Sequence, residues 1–231
     1  MRFETLARNY GSGYLLYSQS DILTGNRDTN PYLAMSPDNN SGVCLGLAMG
    51  FLLYSRRFSY QQPLRWISEF VDDTSSGYED KGNFHNVSDL QTFIGCVMQD
   101  QGALSTLAGR TRALEDGMWN VSLKYKQSKM FHWSGEEVIP LIRPHINSDT
   151  DNAYWLIAAT NSLMVGHAMA LRSMVHPTTG FRLLIFFEPN YGVVQFQGVT
   201  SIDNFRKFLN GFACGEGRDY FATLAELYRF S

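Results

Sequence analysis

The amino-acid sequence predicts an α+β fold, with helices in the first two-thirds of the chain and an antiparallel sheet in the last third. Apolar residues recur at helical spacing in the earlier part, whereas short apolar runs broken by turn-forming residues follow later. Hydrophobic residues make up 44% of the 231 residues and aromatic residues 14%, which is enough for a sizeable core. Helices before strands, without an internal repeat, indicate one α+β domain.

The first 40 residues are polar and rich in turn formers, as in TGNRDTNP at 24–31 and SPDNNSG at 36–42. We therefore expect residues 1–40 to form a flexible or extended N-terminal arm. The remaining residues, 41–231, then form the main domain, and their number is ordinary for a single domain.

Helices are predicted where apolar residues share one face and a helix-start residue precedes them. They cover 43–54, 62–72, 88–108, 134–144 and 202–213, with Ser41, Ser88, Ser134 and Ser201 as N-cap residues. The first of these, VCLGLAMGFLLY, is almost wholly apolar and is expected to be buried. The segment 117–133 alternates loosely and is ambiguous.

Strands are predicted from apolar runs of strand length that end at turn residues. They cover 153–160, 162–174, 181–188 and 193–199. The last segment of the chain, DYFATLAELYRF at 219–230, fits either a strand or a helix.

Charge and cysteine content exclude several classes of protein. The formal charge of -3 comes from 22 acidic and 19 basic residues without long runs, so no nucleic-acid partner is expected. The three cysteines lie far apart without a CxxC pair, which fits neither a disulfide framework nor a four-ligand zinc site. The histidines form no HExxH pattern, and we expect neither a metal nor another cofactor.

The sequence has no apolar run of about 20 residues that could span a bilayer. Its beginning, MRFETLARNY, lacks the apolar region of a secretory signal. A soluble protein with reduced thiols, working in a cytosol, is expected, and export by a route without a cleaved signal stays open.

Cys44 is predicted at the start of the apolar helix over 43–54. A thiol in the first helical turn gains from the unpaired N–H groups and the positive end of the helix dipole, which favour the thiolate. The N–H of the same residue points toward the place where an oxyanion develops. The alternative is that Cys44 is a small apolar residue of the core.

His167 lies in an otherwise apolar strand of a predicted hairpin whose turn is PTTG at 177–180. A turn centred between residues 178 and 179 places His167 opposite Asn190. In the neighbouring register, His167 instead faces Glu188. Both partners share one face of the next strand. A carboxylate or amide beside the imidazole is what a general base needs to hold its orientation. The alternative is a core histidine without a catalytic part.

The order thiol, histidine, then acid or amide is typical of papain-like enzymes. The blocks SGVCLGLA at 41–48, GHAMAL at 166–171 and FFEPNYG at 186–192 resemble the three motif blocks of the YopT/AvrPphB-type cysteine proteases, bacterial type III effectors of the papain-like clan. The resemblance implies a papain-like fold with an N-terminal helical half, a C-terminal antiparallel sheet and a cleft between them. It maps the nucleophile onto Cys44 and the base onto His167.

The third member of the family's triad, normally Asp, maps onto Glu188. The extra methylene and a longer spacing from the histidine leave Glu188 and Asn190 both open for this role. The clan also uses a side-chain amide upstream of the nucleophile to bind the oxyanion, for which Asn39, Asn40 and Gln19 are the candidates.

The resemblance implies a cysteine protease that acts as a secreted bacterial effector or toxin and cleaves a host protein, without a metal or organic cofactor. Its implied partners are a protein or peptide substrate and, as an open question, a secretion chaperone or an immunity protein. Its expected place of action is the cytosol of a target cell, which it reaches by a signal-peptide-independent route. If it is not secreted, a cytoplasmic location is expected.

The same thiol and base also serve a deamidase, an acyltransferase or a peptidoglycan amidase acting as a toxin. The long separation between Cys44 and His167 disfavours the wall-cutting enzymes, whose histidine follows the cysteine more closely. A non-catalytic interaction protein with the same fold is the alternative from a different class.

Overall fold

The structure is a computed structural model, and it describes residues 1–19, 44–58, 63–75, 125–132, 135–146, 152–160, 166–176, 178–219 and 224–231. The helices in this part of the chain are α1 (Phe3–Tyr10), α2 (Cys44–Arg57), α3 (Pro63–Ser75), α4 (Gly135–Ile146) and α5 (Ser201–Ala213), with a short 3-10 turn at Glu216–Asp219. The strands are β1 (Gly13–Leu16), β2 (Tyr125–His132), β3 (Ala153–Thr160), β4 (Gly166–Val175), β5 (Arg182–Glu188), β6 (Gly192–Gln197) and β7 (Leu224–Phe230).

The strands form one antiparallel sheet in the order β1-β6-β5-β4-β3-β7-β2. Its two faces are both covered. One core cluster joins α2 and α3 to the sheet, and the other joins α1, α4 and α5 to its opposite face. Because both faces are buried, β5 reads as a continuous apolar run rather than as an alternating one.

Three of the predicted helices before the sheet agree with α2, α3 and α4, and the predicted helix after β6 agrees with α5. The N-cap of α5 is Thr200, so the prediction that Ser201 caps this helix is wrong by one residue. The helix predicted over 88–108 lies outside the described residues, as do the caps Ser41 and Ser134. Within the described residues, no helix combines the length and the apolar character needed to cross a membrane.

The prediction of a loose N-terminal arm is wrong for residues 1–19. Helix α1 buries Phe3 and Leu6, and Phe3 packs edge-on against Phe208 of α5 with ring centroids 5.3 Å apart. Strand β1 pairs with β6 at the edge of the sheet. An eight-residue helix has too few apolar positions to give a clear periodic signal, which is why the sequence did not reveal it. Residues 20–40 of the predicted arm lie outside the described part.

The predicted helical half and C-terminal antiparallel sheet are present, and β1 and β2 add two strands from earlier in the chain. The ambiguous segment 117–133 contains β2, and the ambiguous end of the chain is β7. Strand β7 lies between β3 and β2, so pairing on both sides decides its conformation.

The register of the β4–β5 hairpin agrees with one of the two alternatives, the turn centred between residues 178 and 179. Val175 pairs with Arg182 and Ala170 with Phe187, which places the centre between residues 178 and 179. In the turn, the N–H of His176 donates to the Phe181 carbonyl at 2.9 Å. His176 Nδ1 also accepts the N–H of Thr178 at 3.2 Å.

Gly192 is required where β1 approaches β6. Its φ is +138°, and a Cβ at this position would lie 2.1 Å from the Leu15 carbonyl oxygen. Gly180, in the β4–β5 turn, also has a positive φ of +68° but has open space around it. Substitution of Gly180 therefore tests backbone strain alone, whereas substitution of Gly192 tests strain together with the close approach of β1.

We expect Gly192→Ala to lower the free energy of unfolding by at least about 3 kcal/mol, since strain and overpacking add. Gly180→Ala should cost only about 1 kcal/mol, from strain alone. Urea unfolding of both variants measures the difference. Equal losses would contradict the close contact between β1 and β6.

Candidate active site

Cys44 is the first residue of α2, the helix that the apolar run produces. Its side chain is buried, with 8% of the residue exposed, in the core cluster between α2, α3 and the sheet. The backbone N–H groups of the first helical turn have no partner within the helix, so the positive end of the helix dipole lies at this thiol.

His167 is the second residue of β4 and lies opposite Ala159 of β3. It is buried, with 4% exposed. Its ring contacts the Glu188 carboxylate, and a hydrogen-bonding interaction with the Cys44 side chain contributes to the raised pKa of the ring. The α2–β4 packing thus brings together two residues that are far apart in the sequence.

Glu188 is the last residue of β5 and is fully buried. Its Oε1 contacts Nε2 of His167, and its Oε2 accepts the N–H of Asn190 at 2.9 Å. Because Nε2 faces the carboxylate, Nδ1 is the ring nitrogen that remains for the thiol. Both carboxylate oxygens have a donor, as a buried charge requires.

The electrostatics of the site favour a charged imidazole. Burial alone lowers the pKa of His167, but the Glu188 carboxylate and the hydrogen bonds with Cys44 and Glu188 outweigh it and raise the pKa from 6.5 to about 10. The ring is therefore an imidazolium at neutral pH, between a carboxylate on one side and a thiol on the other.

Asn190 and Gln19 lie beside the acid, Glu188. The Gln19 side-chain amide donates from Nε2 to Oδ1 of Asn190 at 2.6 Å. Of the residues open for the third catalytic role, Glu188 is the one whose side chain contacts the His167 ring through Nε2. The other oxyanion candidates, Asn39 and Asn40, lie outside the described residues.

Arg172 is a buried polar residue that the sequence reasoning missed. Its Nη1 donates to the Ser55 carbonyl in the last turn of α2, and its guanidinium lies 4.9 Å from the ring centre of Tyr154. Burial lowers the pKa of Arg172 to about 10, so it remains charged at neutral pH. It ties α2 to β4, the elements that carry Cys44 and His167. One arginine in a mostly apolar strand was the available signal.

A metal site is not evident in this part of the chain. Among the described residues, no three His, Cys, Asp or Glu side chains come together in a group that could hold a metal ion.

A comparison with protein families gives a match over residues 16–218, to the model of the Peptidase C58 family, described as Yersinia/Haemophilus virulence surface antigen. This match spans most of the chain. The chain belongs to the Peptidase C58 family. The family resemblance expected from the three sequence blocks is thereby confirmed.

Among solved structures, the C58 chain is similar to the crystal structure of the Pseudomonas avirulence protein AvrPphB, with a TM-score of 0.62 and 12% sequence identity. The alignment covers 97% of this chain and 99% of that one. At this identity the likeness concerns the fold, and it confirms the predicted papain-like α+β fold. No curated protein matches the chain by sequence.

We expect the His167 ring to be an imidazolium at pH 8, since its pKa is raised to about 10. Because the folded-state pKa lies above the unfolded value of 6.5, the stabilisation is complete below about pH 6.5 and is lost as the pH rises through about 10. ¹⁵N NMR of the ring nitrogens measures the titration. Glu188→Gln should lower the pKa, since burial then dominates. A neutral His167 ring at pH 7 in the unsubstituted protein would contradict this account.

Proposed function

We propose that this member of a peptidase family is a thiol protease with Cys44 as nucleophile, His167 as general base and acid, and Glu188 as the residue that orients His167. The observation that supports the proposal is one buried imidazole that contacts a carboxylate on the next strand and whose pKa is raised in part by the thiol at a helix start. A histidine with only a structural part needs no thiol at a helix N-terminus as its second partner.

In the proposed reaction, the Cys44 sulfur attacks the carbonyl carbon of a peptide bond while the proton resides on His167. The oxygen of the tetrahedral intermediate is stabilised by the N–H of Cys44 at the start of α2. His167 then protonates the leaving amine, and the C–N bond breaks. Water, deprotonated by His167, hydrolyses the thioester and restores the thiol.

Glu188 is proposed to keep the ring in place during both half-reactions. A carboxylate also stabilises the imidazolium, as the raised pKa of His167 indicates. The extra methylene of Glu relative to Asp fits a carboxylate that comes from the last residue of β5 and is held by the Asn190 N–H.

The proposed substrate is a protein of a host or target cell, and the protein is proposed to be a secreted effector or toxin that acts in the cytosol of that cell. This rests on the family, whose description names a virulence surface antigen. Secretion without a signal peptide, and a secretion chaperone or immunity protein as partner, stay predictions of the sequence resemblance.

Cys44→Ala and His167→Ala should each reduce substrate cleavage on the order of 10³-fold or more, because the nucleophile and its base act as a unit. The matched control is Cys214→Ala, since Cys214 is a free and exposed cysteine. Candidate host proteins are incubated with each variant and examined by intact mass. Full activity of Cys44→Ala would sink the proposal.

The same mass measurement separates the reaction types. Fragments indicate proteolysis, a gain of about one dalton without fragments indicates deamidation, and a larger adduct indicates acyl transfer, since all three proceed through the same thioester. We expect fragments. A gain of about one dalton alone would assign the site to a deamidase.

Glu188→Gln should reduce cleavage more than Asn190→Ala does. The first change removes the carboxylate at Nε2 of His167, whereas the second keeps the backbone N–H that binds Glu188. We expect kcat to fall at least about 100-fold for Glu188→Gln and about 3- to 10-fold for Asn190→Ala. The reverse order would make Asn190 the orienting residue.

A further inference from the structure

The N-terminal segment runs along the turn that follows Glu188. The N–H of Tyr17 donates to the Tyr191 carbonyl at 3.1 Å, and the N–H of Gln19 donates to the Pro189 carbonyl at 2.8 Å. The segment thus continues the pairing of β1 with β6 past the end of the strands. The turn that carries the acid is held by backbone bonds to a segment about 170 positions earlier in the chain.

The side chains add a second connection. Gln19 is 5% exposed, and its Nε2 donates to Oδ1 of Asn190 at 2.6 Å. The N–H of Asn190 donates in turn to Oε2 of Glu188 at 2.9 Å. One chain of hydrogen bonds therefore leads from Gln19 through Asn190 and Glu188 to the His167 ring.

Helix α1 supports the same turn from the other side. The ring of Phe3 stacks on Tyr191 with centroids 5.6 Å apart, and Tyr191 also packs edge-on against Phe212 at 5.7 Å. The turn between β5 and β6 is thus fixed by aromatic packing at Tyr191 and by amide bonding at Asn190.

We propose that Gln19 is a positioning residue: its side-chain amide holds Asn190, and through it the Glu188 carboxylate, in the place where it orients His167. This inference rests on the proposed function. It assigns Gln19 a role different from that of an oxyanion donor, because an N–H of its side-chain amide binds Asn190 beside the acid.

The physical reason is that the contact between His167 and Glu188 tolerates little displacement of the carboxylate. A supporting residue must hold a catalytic group to within about 0.5 Å, and a looser carboxylate orients the ring less well. Removing the Gln19 amide leaves the backbone bonds of the turn intact. The effect should therefore be a moderate loss of orientation, with the fold retained.

The two roles of Gln19 can be separated with iodoacetamide. In this reaction the Cys44 thiolate sulfur forms a bond to the reagent's CH₂ carbon and iodide leaves, so no oxyanion develops. The rate depends on the fraction of Cys44 that is thiolate. The His167 imidazolium stabilises the thiolate only if the ring is well oriented. A positioning residue therefore affects this rate, whereas an oxyanion donor does not.

We expect Gln19→Ala to slow iodoacetamide labelling of Cys44 about 3- to 10-fold at pH 6, with a rate near that of the unsubstituted protein at about pH 9.5, where ordinary thiols are ionised. The matched control is Gln197→Ala. Gln197 lies at the opposite end of β6 and donates its side-chain amide to Oγ1 of Thr179 at 3.0 Å, so this change removes a similar bond far from the acid. It should leave labelling unchanged.

Asn190→Ala removes the same bond from its other side. Because Gln19 acts through Asn190, the double variant should label no more slowly than the slower single variant. If the losses of the two single variants multiply in the double variant, Gln19 and Asn190 act independently and the inference is wrong. If Gln19→Ala folds poorly, judged by thermal unfolding, Asn190→Ala with the Gln197→Ala control still tests the bond.

The remaining outcomes are also decisive. If cleavage falls in Gln19→Ala while labelling is unchanged, Gln19 is an oxyanion donor and the inference is wrong. If neither changes, Gln19 has no functional role. If labelling of the unsubstituted protein at pH 6 is as slow as in His167→Ala, there is no thiolate–imidazolium pair, and the proposed function fails along with the inference.

Discussion

The contact between the Glu188 carboxylate and the His167 ring is the interaction on which the site depends. Both side chains are almost completely buried, and a buried charge without a partner is costly. The pair offsets that cost because the carboxylate raises the pKa of the imidazole, and the charged ring in turn has a thiol beside it. Removing either member therefore leaves an uncompensated group in the core, so stability and the proposed chemistry depend on the same contact.

The sheet is what makes this contact possible. Residues at the ends of neighbouring antiparallel strands lie side by side, so the last residue of β5 reaches the second residue of β4. Helix α2 packs across the same strand, and Arg172 ties the far end of that helix to β4. The thiol, ring and carboxylate thus belong to α2, β4 and β5. The N-terminal segment forms hydrogen bonds with the turn that follows β5.

The N-terminal segment shows how composition can mislead. Its polar, turn-rich sequence predicted an arm, yet residues 1–19 contribute a helix to the core and an edge strand to the sheet. The reason is that Phe3 gains its stabilisation from rings of α5 that are distant in the sequence. Local propensity does not include that energy, and neither β1 nor β7 has a pattern that decides its conformation without its neighbours.

The sequence by itself determined the apolar helix after Cys44, the β4–β5 hairpin and the family, because each depends on local periodicity or on short blocks. It left Glu188 and Asn190 equal, since both side chains lie on one face of a strand. Only the tertiary structure separated their surroundings: the β5–β6 turn directs the carboxylate to the ring, and Gln19, from the opposite end of the chain, bonds to the amide. Contacts between distant segments leave no periodic trace in a sequence.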